Sequence, residues 1–196
     1  MKVKTFWPLI LVTLIGLVIG VVLSCGGSSG GGGDDDNGSN DDDASGDDDS
    51  ATGDTWTDSS SGLTWQVTPS SNYMAWADAK TYCQNLAGGG WRLPTISELR
   101  TLIRGCAGTQ TGGACGVTDS CLSYSSCWSD PCNGCDPGAG PDDGNYGPAQ
   151  LTGNGNWYWS SSAVADGDSH AWDVNFDGGD VYGYPTDYDS YVRCVR

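Results

Sequence analysis

Nine cysteines in 196 residues constrain this chain more than any other feature. One of them, Cys25, stands apart. It ends an apolar run from Phe6 to Leu23, behind the basic residues Lys2 and Lys4. Val22-Leu23-Ser24-Cys25 reads as a lipobox, so cleavage before Cys25 and acylation of its thiol are expected. A run of that length is also near the lower limit for a membrane-spanning helix. Pro8, Gly16 and Gly20 weaken it as a helix, and it stops at a Cys preceded by a small residue. An uncleaved anchor is the alternative and leaves the same topology. The expected location is the bacterial cell envelope, lipid-anchored, at the outer membrane or cell surface; Gly26 rather than Asp after the lipidated Cys agrees with outward sorting. With Cys25 acylated, eight cysteines remain. An even number in an oxidising compartment reads as four disulfides.

The organisation is then a signal peptide over 1–24, an acidic tether over 25–54 and a folded domain over 55–196. The tether holds three triplets, Asp34-Asp35-Asp36, Asp41-Asp42-Asp43 and Asp47-Asp48-Asp49, and almost nothing that could be buried. Such a segment cannot offset its conformational entropy and is expected to be disordered. A Gly/Ser coil of this length spans roughly 30 Å r.m.s., and charge lengthens it. Calcium binding by the triplets is the alternative, but no regular turn surrounds them to converge the ligands. The net charge is −17. Phosphate-backbone binding draws its affinity from Lys and Arg, so nucleic acid is excluded as a partner and sulfated polysaccharide is disfavoured.

Within the domain, Thr64-Trp65-Gln66-Val67 reads as a first strand. A helix is expected from Tyr73 to Leu86, with Trp76, Ala79, Cys83 and Leu86 on one stripe, Asn72 or Ser71 as its cap and Gly88-Gly89-Gly90 as its stop. Thr95 and Glu98 form a capping box for a second helix that runs to about Arg104, with Leu99, Leu102 and Ile103 inward. Arg92 is expected in a buried ion pair with Glu98 or an Asp. Residues 105–156 are a long Cys-rich insert carrying Cys106, Cys115, Cys121, Cys127, Cys132 and Cys135. A loop of that length is uncommon unless stapled or functional. The C-terminal part is β-like. Trp157-Tyr158-Trp159 alternates, Trp172, Val174 and Phe176 share one face, Asp177-Gly178-Gly179-Asp180 is a hairpin turn, and Tyr191 to Arg196 is a final strand.

Few residues suit catalysis. His170 is the single histidine, so a His-based zinc cluster is absent. Cys132-Asn133-Gly134-Cys135 lacks the βαβ context of a redox motif. A four-thiolate zinc site from Cys121, Cys127, Cys132 and Cys135 has acceptable spacing, but structural disulfides are the favoured reading. Asp173, Asn175, Asp177 and Gly178 resemble the opening of an EF-hand loop, yet Tyr184 replaces its closing Glu and the alternation reads as strand. Asp142-Asp143-Gly144-Asn145 and Asp166-Gly167-Asp168 are looser acidic loops. The expectation is no resident cofactor, with Ca2+ as the alternative. Exposed aromatics beside Asp and Asn suit sugars, because rings pack on C–H faces while polar groups bond hydroxyls. The candidate ligand-binding residues are Trp128, Asp142, Asp143, Asn145, Tyr146, Trp157 and Tyr184. The alternative is that these rings cover the domain's own surface.

Several motifs occur in a specific order: Gly62-Leu63-Thr64-Trp65-Gln66; Trp76-Ala77-Asp78-Ala79 with Tyr82-Cys83; Gly90-Trp91-Arg92-Leu93-Pro94-Thr95; Tyr158-Trp159-Ser160-Ser161-Ser162; and the closing Tyr191-Val192-Arg193-Cys194-Val195-Arg196. As a set they resemble the Lcl C-terminal domain family, also called DUF1566, over about residues 56–196 apart from the insert. The resemblance implies an α+β, C-type-lectin-like fold: two helices, a twisted antiparallel sheet and a long disulfide-stapled loop region. It also implies a Cys83–Cys194 bond, whose loop of over 100 residues corresponds to roughly 4 to 5 kcal/mol in chain-entropy models. A more distant likeness to formylglycine-generating enzymes fails at the residues that matter. Cys127 and Cys132 have the spacing, but Trp128 stands where a His is needed and no Arg follows. The expected function is therefore binding or adhesion without turnover, toward carbohydrate or a surface protein, with the binding surface on the insert. A purely structural envelope role is the alternative. The acidity departs from the basic, sulfated-glycan-binding adhesin for which the family is named.

Overall fold

A computed structural model describes residues 54–196 of the protein. The signal segment, Cys25 and the acidic tether up to residue 53 lie outside the described residues. Among the described residues, no helix is long and apolar enough to cross a membrane.

The fold is α+β. Strands β1 (Thr55–Thr57) and β2 (Thr64–Gln66) form an antiparallel hairpin with Trp56 opposite Trp65. Asp58 organises its turn by accepting from the Ser60 amide at 3.0 Å and from the Ser60 and Ser61 hydroxyls. The two-residue strand β3 (Met74–Ala75) leads directly into α1 (Trp76–Gln84). Helix α2 (Ile96–Arg100) follows, then α3 (Tyr124–Cys127) and a 3-10 turn at Asp130–Asn133 inside the insert. Strands β4 (Trp157–Ala163), β5 (His170–Asn175) and β6 (Asp180–Pro185) make an antiparallel meander, and β7 (Asp189–Ser190) pairs with β3.

The meander is covered on both faces. One core contains Trp65, Ile96, Leu99, Tyr158, Trp172 and Val174 together with the insert. The other packs α1, through Ala79 and Cys83, on Trp159, Ala171, Val192 and Cys194. Strand β5 lies in the middle and is buried from Ala171 to Val174. The alternation expected of a strand with one wet face does not hold there, because α1 occupies the second face.

Three expected elements are revised. The first helix starts at Trp76 rather than Tyr73, and its cap position is Ala75, without a side-chain cap. Met74 and Ala75 pair with Ser190 and Asp189, and the Trp76 amide donates to the Thr186 carbonyl at 3.2 Å. The sheet takes the amides that a capping side chain would otherwise satisfy. The second helix has the expected capping box: the Glu98 amide donates to the Thr95 hydroxyl at 3.2 Å and the Thr95 amide to Glu98 Oε2 at 2.9 Å. It ends at Arg100 rather than Arg104, its chain tightening into three-residue turns as Leu102 and Ile103 donate to Leu99 and Arg100. Arg92 and Glu98 do form a two-pronged pair at 2.6 Å, but Arg92 is 46% exposed, so the pair is not buried.

The third revision concerns residues 191–196, which are no continuous strand. Their backbone bonds go to four different partners: Tyr191 to Trp157 and Trp159, Val192 to Ser70, Val195 to Arg92, and Cys194 and Arg196 to β2. No single neighbour is long enough to pair with the whole segment. It crosses the domain as a tie. Arg193 is fully buried within it and donates to the carbonyls of Gln66 at 2.7 Å, Val67 at 2.5 Å and Thr152, with its guanidinium 5.1 Å from the Tyr158 ring.

All eight domain cysteines are paired. Cys83–Cys194 joins α1 to the terminal tie across a separation of 111 residues. The other three bonds are nested: Cys106–Cys135 encloses Cys115–Cys132, which encloses Cys121–Cys127. Cys132 and Cys135 thus belong to different bonds, and neither a vicinal redox pair nor a four-thiolate zinc site forms. The insert docks on the β5–β6 turn at Gly134, where φ is +77° and a Cβ would sit 2.4 Å from the Gly178 carbonyl oxygen. The neighbouring Cys135 amide donates to that same oxygen at 2.7 Å.

Loop-closure entropy predicts unequal roles for these bonds. A Cys83→Ala/Cys194→Ala variant should lose about 4–5 kcal/mol, roughly twice the loss from Cys121→Ala/Cys127→Ala. Denaturant midpoints of the two double variants against wild type provide the check, and equal losses would contradict the entropic account.

Candidate functional site

The meander's register builds a site on the face shared with α1. Trp159, Asp173 and Tyr182 lie in one row across β4, β5 and β6. Trp157 pairs with Asn175 on one side of that row and Tyr184 with Ala171 on the other. The two rings nevertheless meet, with centroids 6.2 Å apart and planes at 25°. Their stack spans the central strand at Asp173. Tyr188 stands edge-on to Tyr184 at 5.1 Å, and Tyr73 packs against Tyr191 at 4.2 Å. Together Tyr73, Trp157, Tyr184 and Tyr188 surround a cleft of about 260 Å³, with Asn156 and Asp189 also on its wall. Tyr73 and Tyr188 are each 55% exposed.

Asp173 contributes to the same wall and is 1% exposed. Neither of its carboxyl oxygens has a hydrogen-bond partner on another residue. Burial pushes this carboxyl well above the ordinary carboxylate range, and the Asp180 carboxylate adds to the shift. Asp180 is itself pushed up by burial and by Asp177. These acids do not converge as metal ligands: among the described residues, no group of three or more His, Cys, Asp or Glu side chains could hold a metal ion. Asn175 uses its Oδ1 to accept the Asp177 amide at 2.9 Å, as a strand-end turn would, so the EF-hand-like spacing is realised as a hairpin.

A second cleft of about 480 Å³ opens beyond Tyr184, between Tyr182, Tyr124, Asp166 and His170. Its polar groups are engaged. Asp166 accepts from the Ser123 hydroxyl at 2.8 Å, from the Ser125 hydroxyl at 2.6 Å, and from the Ser125 and Tyr124 amides. Those donors hold its carboxyl far below the usual range. Burial and the Tyr182 hydroxyl push the Tyr124 hydroxyl up to about 12. His170 Nδ1 lies 2.8 Å from the Asp168 carbonyl oxygen.

The seven candidate ligand-binding residues do not form one surface. Trp157 and Tyr184 come together at the Asp173 cleft. Trp128 instead stacks on Tyr124 at 5.2 Å and donates its indole N–H to the Val181 carbonyl at 3.0 Å, fastening the insert to β6. Tyr146 is a core residue, 4% exposed, whose hydroxyl donates to the Asp136 carbonyl. Asp142, Asp143 and Asn145 close a tight turn in which the Asn145 side-chain amide donates to both Asp142 and Asp143 carbonyls. The insert's aromatic and polar groups are thus largely consumed in holding the insert. Tyr73, Asn156 and Asp189 join the cleft without having stood out in the sequence. Tyr73 reads as the first turn of a helix, and only the β3–β7 pairing turns it toward β4. Asp173 reads as the opening of an EF-hand-like run, and its burial under the rings of Trp157 and Tyr184 is set by contacts from distant segments.

The pH dependence of stability carries opposite contributions. Glu98 is pushed up by burial, but Arg92 and the Thr95 amide outweigh this and hold it below its ordinary value. Asp58 is likewise held down by its Ser60 and Ser61 donors against burial. Both stabilise the fold above the unfolded carboxyl pKa, and that stability is lost as pH falls through their folded values. Asp173 has the reverse sign. Its contribution is intact below the unfolded value near 3.9 and is lost as pH rises toward its folded value. Asp173→Asn should therefore raise the melting midpoint at pH 7 by at least about 3 °C and give no gain at pH 3. Melting curves from pH 3 to 8 report this directly, and a pH-independent difference would refute the assignment.

No curated protein matches the chain. The family model of the Lcl C-terminal domain matches residues 54–196, which takes in both hairpins, the insert, the cleft and the terminal tie. The chain belongs to the Lcl C-terminal domain family.

Proposed function

We propose that this chain is a lipid-anchored envelope protein whose C-type-lectin-like domain binds carbohydrate at the cleft formed by Trp157 and Tyr184. The observation that carries the reading is the cleft itself: aromatic rings, two of them more than half exposed, beside Asn156 and Asp189. Rings of this kind pack on the apolar faces of sugars while neighbouring amides and carboxylates bond hydroxyls. The Cys25 lipobox and the acidic segment behind it supply an anchor and a spacer. The eight paired cysteines suit the oxidising side of a membrane. Binding rather than turnover is supported by Cys127 and Cys132, which sit in different disulfides and so are not available as a catalytic pair. The binding surface is assigned to the sheet rather than the insert, because the insert's aromatics are engaged internally. The net charge of −17 directs the choice toward neutral or cationic saccharides.

A glycan array probed with the purified protein, with and without calcium, should show saccharide binding. Trp157→Ala should weaken it at least tenfold, about 1.4 kcal/mol, whereas Trp128→Ala should lower the melting midpoint and leave saccharide affinity within about twofold. An array without signal under both conditions would sink the carbohydrate reading and leave a structural envelope role. Mass spectrometry of the membrane-extracted protein should find the mature N-terminus at an acylated Cys25.

A further inference from the structure

Asp173 is the one described side chain with two buried polar atoms and no hydrogen-bond partner for either. A group of this kind costs stability unless something satisfies it. No cation of the domain does so, because all six are held elsewhere. Arg92 pairs with Glu98, Arg104 lies 3.9 Å from Asp58, and Lys80 sits 3.4 Å from the centre of the Trp76 ring. Arg196 covers Trp91, while Arg100 and Arg193 are buried on backbone carbonyls. Among the described residues no cation faces Asp173, so a counter-charge for its ionised form has to come from outside the domain.

The walls around Asp173 select the same kind of group. Trp157, Tyr184 and Tyr188 line the cleft, and aromatic rings attract organic cations through their quadrupoles. Asp189 adds a second carboxylate at the exposed rim. An anionic sugar meets like charge and electron-rich rings here, and a neutral sugar offers the buried carboxyl hydroxyl donors but no counter-charge. At about 260 Å³ the cleft admits one sugar ring and falls below the range of drug-sized sites.

We infer that the cleft recognises a saccharide carrying a protonated amine, an amino sugar with its nitrogen unacylated, and that Asp173 receives the ammonium group beneath the Trp157–Tyr184 stack. This rests on the carbohydrate reading above and narrows it to a cationic sugar.

The experiment is calorimetric titration of the full chain at pH 6 with two probes, a tetramer of glucosamine and the corresponding tetramer of N-acetylglucosamine. Wild type should prefer the free amine at least tenfold. Asp173→Asn should abolish that preference. A variant-free measurement runs beside it. The carboxyl carbon of Asp173, followed by NMR, should shift toward its ionised position with the glucosamine tetramer and not with the acetylated one. Equal affinities for the two tetramers, or a preference that survives in Asp173→Asn, overturn the inference and leave carbohydrate binding intact. Failure of both tetramers alongside a positive array also overturns it; failure alongside a silent array removes the carbohydrate reading as well. Binding of a lysine-bearing peptide that requires Asp173, with no saccharide bound, overturns the sugar and assigns the cation to a protein.

Discussion

The guanidinium of Arg193 is the interaction on which the rest of this domain depends. It is buried beside no carboxylate and instead gathers the carbonyls of Gln66, Val67 and Thr152 around one cation. Those carbonyls end β2 and belong to the loop before β4, so one side chain ties the first hairpin to the start of the meander. The same stretch carries Cys194, bonded to α1, and Val195, bridged to Trp65 and Arg92. A buried cation is tolerable only when its donors are largely matched; here both terminal nitrogens are engaged while Nε finds no partner, and removing the acceptors would leave a charge in a low-dielectric core. The terminal segment is therefore irregular for a reason. Each of its residues serves a different neighbour, and regular strand pairing would give up most of those connections.

Local chemistry made some of this readable before any coordinates. The capping box at Thr95 and Glu98 depends on two side chains three residues apart, and it forms as expected. The Asp177–Asp180 turn depends on glycines, and Gly179 takes the positive φ the turn requires. What could not be read were features set by distant contacts. The start of α1 moved because β7, more than a hundred residues later, claims Met74 and Ala75. The final segment lost its strand character because its partners come from four places. The six cysteines of the insert allow fifteen pairings, and spacing alone does not choose the nested one.

The cleft was legible in its parts but not as a whole. Trp157 and Tyr184 stood out as aromatics beside polar residues, yet so did Trp128 and Tyr146, which turn out to fasten the insert and fill the core. Composition cannot separate a ring that waits for a ligand from one that already packs on its own chain. The distinction came from hydrogen bonds: the Trp128 indole and the Tyr146 hydroxyl each find a backbone carbonyl, while Asp173 finds nothing. The exposed side of a small domain like this one is read best from the polar atoms its own fold leaves over.

The concentric arrangement of the insert's sulfur bridges bears on how the chain matures. In a polypeptide made amino end first, Cys106 through Cys135 precede Cys194. Those six thiols have their partners within a span of 30 residues. Cys83 precedes all six in the chain while its partner Cys194 follows them, so the Cys83–Cys194 bond is the last native one that can close. The native pairing thus has a built-in last step, and a chain without Cys194 would carry an unmatched thiol on its first helix.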